Sequence, residues 1–118
     1  MKLQLVRNAT LRLKVAGVTV LVDPYFAPAF SRPSYTGRSL NPLVELPLPV
    51  AAILEDTDLV MVSHLHSDHF DPVAQEAVPK DRPILCQPGD EARIAAMGFV
   101  SVTPLETSST FGPLTFTR

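Results

Sequence analysis

The chain opens with three short runs whose apolar spacing is typical of β-strands. Residues 3–6, 11–15 and 18–22 are separated by short turns, and the second run alternates apolar with charged side chains, as a half-buried strand does. The third run is apolar at nearly every position and stops at Asp23, which indicates a strand covered on both faces. The pattern therefore predicts an antiparallel meander with Asp23 at the carboxyl end of its third strand.

Proline becomes frequent immediately after the meander. Residues 24–49 contain six of the chain's twelve prolines, which excludes a long helix and predicts an extended loop. Loops of this length without secondary structure are uncommon in compact domains and often form the rim or lid of a functional site. The composition is equally compatible with a rim or lid and with a simple connector.

Beyond the loop, the apolar pattern predicts helices that alternate with short strands. Residues 50–54 can form a helix, residues 58–63 a buried strand, and Asp71 caps a second helix that begins at Pro72. The remaining predicted elements are a strand at 84–86, a helix at 90–97, a strand at 99–103 and a hairpin around Gly112. This order predicts a single α/β domain that spans residues 1–118.

Composition and charge narrow the class of protein. With 46% hydrophobic and 19% charged residues in 118, the chain has the profile of one folded globular domain. The net charge is -2 and no block of Lys or Arg occurs, so we expect no nucleic-acid partner. Cys86 is the only cysteine, which excludes an intramolecular disulfide and a cysteine-rich zinc site. Neither a signal-peptide core nor an apolar run of ~20 residues occurs, so we expect a cytoplasmic protein without membrane contact.

All three histidines of the chain fall within six positions, at His64, His66 and His69, and Asp68 lies among them. Imidazole nitrogens and carboxylate oxygens are the usual ligands of catalytic zinc. Residues two apart on extended backbone point the same way, so His64 and His66 can bind one ion. Asp68 and His69 lie beyond the bend and can reach a second ion. The cluster therefore predicts a metal site where the strand at 58–63 ends.

Two other interpretations fit the cluster less well. A solvated polar loop that is rich in histidine by chance would not be expected to collect four potential ligands within six positions. A nucleophilic triad would require Ser63 or Ser67 to share one short loop with its base and with a third orienting group, which such tight spacing makes difficult. Metal binding is the hypothesis that the residues favour.

Residues 64–69 read His-Leu-His-Ser-Asp-His, which is similar to the HxHxDH signature of the metallo-β-lactamase superfamily. The meander, the strand that ends at Asp23 and the strand that enters the signature also match the first half of that family's fold. Among its branches, the order of elements looks most like the L-ascorbate-6-phosphate lactonase-like hydrolases. The resemblance implies an α/β (α+β) fold, a metallo-β-lactamase-like αβ/βα sandwich of which only the first αβ half is present and which is truncated at the C-terminus.

The resemblance also implies roles for individual residues. His64 and His66 would bind the first of two divalent ions. Asp68 and His69 would bind the second, and Asp68 would count as a catalytic residue. Asp23 would orient the ligands through hydrogen bonds, although an Asp that merely starts a turn before a proline explains the position equally well. The expected ions are Zn²⁺, with Mn²⁺ and Fe²⁺ as alternatives because the same ligands suit all three.

The activity that the resemblance implies is hydrolysis of a small-molecule ester, lactone or phosphoester by a metal-bound hydroxide. The family completes its site with ligands from a second half, whereas no histidine follows His69 here and each ion has two protein ligands. We therefore expect the 118-residue chain alone to be inactive. One sheet face would be bare, so we expect self-association or a missing C-terminal half. The alternative is a non-catalytic half-domain that binds metal weakly or binds a protein partner.

Overall fold

A computed structural model describes residues 1–118, which form one six-stranded sheet, one two-stranded hairpin and three short helices. The elements in chain order are β1 (Lys2–Arg7), β2 (Thr10–Val15), β3 (Val18–Val22), α1 (Val50–Leu54), β4 (Leu59–Val62), α2 (Pro72–Ala77), β5 (Ile84–Cys86), α3 (Glu91–Ala96), β6 (Val102–Pro104), β7 (Ser108–Phe111) and β8 (Leu114–Thr117). None of the three helices is long and apolar enough to cross a membrane.

The strands of the large sheet follow one another in sequence order, β1-β2-β3-β4-β5-β6. The pairs β1–β2 and β2–β3 are antiparallel, whereas β3 to β6 run parallel to one another. The carboxyl ends of four strands therefore meet along one edge of the sheet. In open parallel sheets this is the edge at which ligands bind.

One face of the sheet is covered by the helices. Residues such as Leu21 and Val60 on this face pack with Ile53 of α1, Ala74 of α2 and Ile94 of α3 in the main buried cluster. Side chains of the proline-rich loop close the edge of the same cluster, since Leu46 and Leu48 pack against it. This core fixes the sheet edge on which the polar cluster of residues 64–69 lies.

The opposite face of the sheet is covered in part by the β7–β8 hairpin. Val20, Leu59 and Leu85 are buried on this face, and the hairpin residues Phe111, Leu114 and Phe116 pack against them. The expectation of a wholly bare second face was therefore wrong. The alternating apolar positions of the hairpin supply a cover that sequence alone did not assign to this sheet.

The part of that face that remains open lies on the edge strand β1. Leu3 pairs with Leu13 and Leu13 pairs with Val20, so these side chains share one face of the sheet. Leu3 and Leu5 are nonetheless 63% and 65% exposed. Leu3 and Leu5 thus leave apolar surface open at the β1 end of the sheet.

Most predicted elements agree with the structure within one residue, and the largest difference is at β6. The strand predicted at 99–103 begins only at Val102. Phe99 is buried instead at the end of α3, where its ring lies 5.8 Å from that of Phe70. Phe99 is apolar because it packs in the core after the turn at Gly98, and not because it belongs to the strand. The strand therefore starts later than predicted.

Arg7 anchors both ends of the proline-rich loop. Its buried guanidinium donates to the carbonyl oxygens of Tyr25 and Ala27, both at 2.8 Å, and to that of Val44 at 3.0 Å. Burial is also the main cause that lowers the pKa of Arg7. One side chain thus holds carbonyl groups from both the beginning and the later part of the loop.

Asp71 joins the loop to the helix that follows the histidine cluster. Its fully buried carboxylate accepts from the Phe26 N–H at 2.7 Å. The same carboxylate caps α2, since it accepts from the N–H groups of Val73 and Ala74. The sequence predicted the helix cap. The hydrogen bond with Phe26 is an additional contact of the same side chain.

We predict that Asp71→Ala lowers the free energy of unfolding by about 2–4 kcal/mol, because it removes a helix cap and leaves the buried Phe26 N–H without an acceptor. The matched control is Asp90→Ala, since Asp90 precedes α3 without making a capping bond. Urea denaturation followed by circular dichroism measures both. Equal losses of unfolding free energy in the two variants would contradict the role given to Asp71.

Candidate metal centre

The HxHxDH motif, residues 64–69, begins two residues after β4 ends at Val62. In the turn that follows, the N–H groups of His69 and Phe70 donate to the carbonyl oxygen of His66, at 2.9 and 3.2 Å. The turn brings His69 back beside His64, with 3.9 Å between the ring centroids. The predicted ligands therefore lie together at the carboxyl edge of the parallel strands.

The first two histidines face each other through ring nitrogens. Nε2 of His64 lies 3.1 Å from Nδ1 of His66. Two nitrogens that each lie ~2.0–2.1 Å from one tetrahedral zinc are separated by about 3.3 Å. The spacing and the donor chemistry of this pair therefore fit two ligands of a single divalent ion.

Asp68 and His69 form a looser second pair. Nε2 of His69 lies 3.9 Å from Oδ2 of Asp68, whose side chain is 41% exposed. No group of three or more His, Cys, Asp or Glu side chains is arranged to hold one ion.

Asp23 is buried below the motif and accepts three hydrogen bonds. Its carboxylate accepts from the N–H and the hydroxyl of Ser63, both at 2.7 Å, and lies 2.8 Å from Nδ1 of His69. Asp23 has a φ of 45°, a left-handed conformation in which Asp is one of the tolerated residues. Thr10 supports this backbone by donating its hydroxyl to the Asp23 carbonyl at 2.7 Å. The Asp23 carboxylate thus makes hydrogen bonds that an Asp at the start of a turn does not need.

The hydrogen-bond partners of Asp23 and Ser63 determine which nitrogen of each histidine ring carries a proton. The Asp23 carboxylate can only accept, so the single hydroxyl proton of Ser63 goes to it. The Ser63 oxygen, 2.9 Å from Nδ1 of His64, must then accept from that nitrogen. His69 likewise donates from Nδ1 to Asp23. In the neutral form of both rings Nε2 is then the unprotonated nitrogen, which is the atom that can bind a metal.

Two residues of the site were missed by the sequence analysis in these roles. Ser63 was considered only as a nucleophile, although its place immediately before the first histidine could have suggested a hydrogen-bonding role. Tyr35 had no local signal, yet its hydroxyl lies 3.0 Å from Oγ of Ser67 and its ring 5.9 Å from that of His66. The proline-rich loop is therefore a rim of the site and not a simple connector.

Cys86 lies close to the site but differs from it chemically. It lines a cleft of about 220 Å³ beside Ser63, together with apolar side chains such as Met61 and Leu105. Burial raises the pKa of the Cys86 thiol to about 11. Near neutral pH the thiol is therefore protonated, which is not the form that binds metal.

Comparison with known proteins identifies the family. The family described as Beta-lactamase superfamily domain matches residues 2–114. The chain belongs to this family, and the predicted fold class is confirmed. Its relatives include proteins described as metal-dependent hydrolases, whereas the L-ascorbate-6-phosphate lactonase branch stays a prediction.

Three relatives are similar over nearly the whole chain. The UPF0173 protein YddR of Bacillus subtilis (strain 168) is 37% identical in an alignment 116 residues long that covers 94% of this chain and 46% of that protein. The structure of a possible metal-dependent hydrolase from Veillonella parvula DSM 2008 matches with a TM-score of 0.88 and 35% identity, over 93% of this chain and 44% of that one. The structure of an isothiocyanate hydrolase from Delia radicum gut bacteria matches with a TM-score of 0.83 and 40% identity, over 94% of this chain and 44% of that one. The chain spans less than half the length of each.

We predict that Asp23→Asn weakens Zn²⁺ binding by about 10- to 100-fold, since an amide cannot accept from Ser63 and His69 in the same way as a carboxylate. The matched control is Asp81→Asn, which removes an exposed charge outside the motif. Competition with a chromophoric chelator measures affinity, and ¹⁵N NMR of the imidazoles reports the tautomers without metal. Unchanged tautomers in Asp23→Asn would rule out the proton assignment.

Proposed function

We propose that this chain is the metal-binding half of a metal-dependent hydrolase that acts on an ester, lactone or phosphoester bond of a small molecule. The observation that carries the proposal is the facing pair of nitrogens, Nε2 of His64 and Nδ1 of His66, 3.1 Å apart. Membership of the β-lactamase superfamily and similarity to a possible metal-dependent hydrolase support it. We also propose a cytoplasmic location, on the sequence grounds given above.

The motif divides into two proposed ion positions. His64 and His66 would hold one ion through the facing nitrogens. Asp68 and His69 would hold the other, with the exposed carboxylate of Asp68 able to approach Nε2 of His69. Nitrogen and carboxylate donors make Zn²⁺ the first choice, with Mn²⁺ and Fe²⁺ as alternatives. A divalent ion bound here supplies a more acidic water molecule and polarises the bond under attack.

Asp68 is the residue that we assign to catalysis as well as to metal binding. Its side chain is partly exposed at the edge of the sheet, so a reacting water or a substrate can reach the carboxylate. The carboxylate of Asp23 is buried and occupied by Ser63 and His69. We therefore assign to Asp23 the orientation of the ligands, without contact with substrate.

One observation favours a second substrate class. The isothiocyanate hydrolase is 40% identical to this chain over 94% of its length. In the hydrolysis of an isothiocyanate, water adds to the central carbon, the carbon–nitrogen bond breaks, and an amine and carbonyl sulfide leave. A panel that contains an aryl isothiocyanate, a lactone and a phosphodiester separates this class from the leading one and from the lactonase branch.

The competing proposal is a half-domain without catalytic activity that binds metal weakly or binds a protein partner. The observation in its favour is the ligand count, because catalytic zinc usually has three protein ligands and the motif offers two for each ion. The exposed Leu3 and Leu5 would provide the contact surface for a partner. Metal binding without turnover on any substrate of the panel, once a His and an Asp from a second half or a second chain complete the site, would favour this alternative.

We predict that His66→Ala lowers bound Zn²⁺ at least about tenfold, because it removes one of the two facing nitrogens, and that it abolishes hydrolysis in a protein that also supplies the remaining ligands. Cys86→Ser is the control, since the buried neutral thiol contributes no ligand. Metal analysis after dialysis and the substrate panel measure the two effects. A His66→Ala protein with the full metal content of the wild type would remove the basis of the proposal.

We predict that the 118-residue chain alone self-associates at low micromolar concentration and shows no turnover, because β1 leaves apolar surface open and each ion lacks a third protein ligand. Replacing Leu3 and Leu5 with Lys should shift sedimentation towards the monomer. Val100→Lys is the control, since Val100 is an exposed apolar residue beside β6, at the opposite edge of the sheet. A monomeric wild type with ordinary turnover would contradict both parts.

A further inference from the structure

The hydrogen bonds between the proline-rich loop and the HxHxDH motif come from one side chain, that of Tyr35. The Tyr35 hydroxyl lies 3.0 Å from Oγ of Ser67, and the N–H of Ser67 donates to the same hydroxyl oxygen at 3.3 Å. Ser67 stands between His66 and Asp68, which belong to the two different proposed ion positions. A contact at Ser67 therefore acts on the turn that links these positions.

Tyr35 is held over the motif by a loop that is itself fixed. Arg32 and Asn41 exchange backbone hydrogen bonds of 2.8 and 2.6 Å, and the N–H of Phe30 donates to the carbonyl of Pro42 at 2.7 Å. These bonds close the segment that carries Tyr35 near its tip, and Arg7 holds the base. Because the loop is already ordered, the Tyr35 contact costs little additional conformational entropy.

The N–H of Ser67 has its hydrogen-bond partner outside the turn. The N–H groups of His69 and Phe70 bond within the turn to His66, whereas the hydrogen bond donated by the N–H of Ser67 goes to Tyr35 in the loop. Tyr35 is 65% exposed, so burial does not explain its position. Its hydroxyl contacts with Ser67 are the hydrogen bonds that connect the loop to the motif.

We propose that Tyr35 is a positioning residue of the HxHxDH motif, whose hydroxyl fixes the Ser67 turn and thereby the relative placement of His66 and Asp68. The effect on metal rests on the proposed function, whereas the effect on the turn does not. Tyr35→Phe is the discriminating variant, because it keeps the ring beside His66 and removes only the hydroxyl.

The test compares Tyr35→Phe with wild type in the 118-residue chain. Without metal, amide hydrogen exchange at Ser67 should become roughly 3- to 10-fold faster, as expected for the loss of one hydrogen bond, and the backbone NMR shifts of His66 and Asp68 should change. With Zn²⁺ as the probe, chelator competition should show binding weakened by about 3- to 10-fold, less than for a direct partner of a ligand. Ser31→Ala is the control, because it removes a loop hydroxyl that bonds only to the Pro28 carbonyl.

Each outcome bears on a different statement. Faster Ser67 exchange together with weaker Zn²⁺ binding supports the proposal. Exchange and shifts that match those of wild type overturn it, as does altered exchange with unchanged Zn²⁺ affinity in a wild type that binds the ion. A wild-type chain that binds no Zn²⁺ contradicts the proposed function, while the metal-free exchange and shifts still decide the role of Tyr35 in the turn.

Discussion

The site depends on the buried carboxylate of Asp23. A buried anion is tolerated only when its oxygens are hydrogen-bonded, and here three donors from Ser63 and His69 satisfy it. The Ser63 N–H ties the end of β4 to the end of β3, and the two imidazole protons point inwards towards Ser63 and Asp23. The arrangement leaves Nε2 of His64 and of His69 directed outwards. One carboxylate thus joins the sheet edge to the orientation of two proposed ligands.

The features that sequence predicted well are those that depend on neighbouring residues. Alternating or continuous apolar runs located β1 to β5 and the hairpin, and the Asp71–Pro72 pair marked the start of α2, because strand patterns and helix capping are local. The position of Asp23 at a strand end followed from the same patterns. The close spacing of the four residues of the HxHxDH motif was also sufficient to predict a metal site there.

The features that sequence missed depend on contacts between distant parts of the chain. Asp23 and Ser63 are 40 positions apart and Tyr35 and Ser67 are 32 apart, so no local pattern joins either pair. The late start of β6 follows from the burial of Phe99 against Phe70, which is a tertiary contact. The cover of the second sheet face was missed because alternation in a hairpin does not tell which sheet it packs against.

The central claim is that His64 and His66 hold one divalent ion between their facing nitrogens. Crystals of the chain soaked in Zn²⁺ and measured at the zinc absorption edge test it directly. We expect an anomalous peak about 2.0–2.1 Å from both Nε2 of His64 and Nδ1 of His66. Zinc peaks only elsewhere on the surface, with these two nitrogens still bonded to each other, would contradict it.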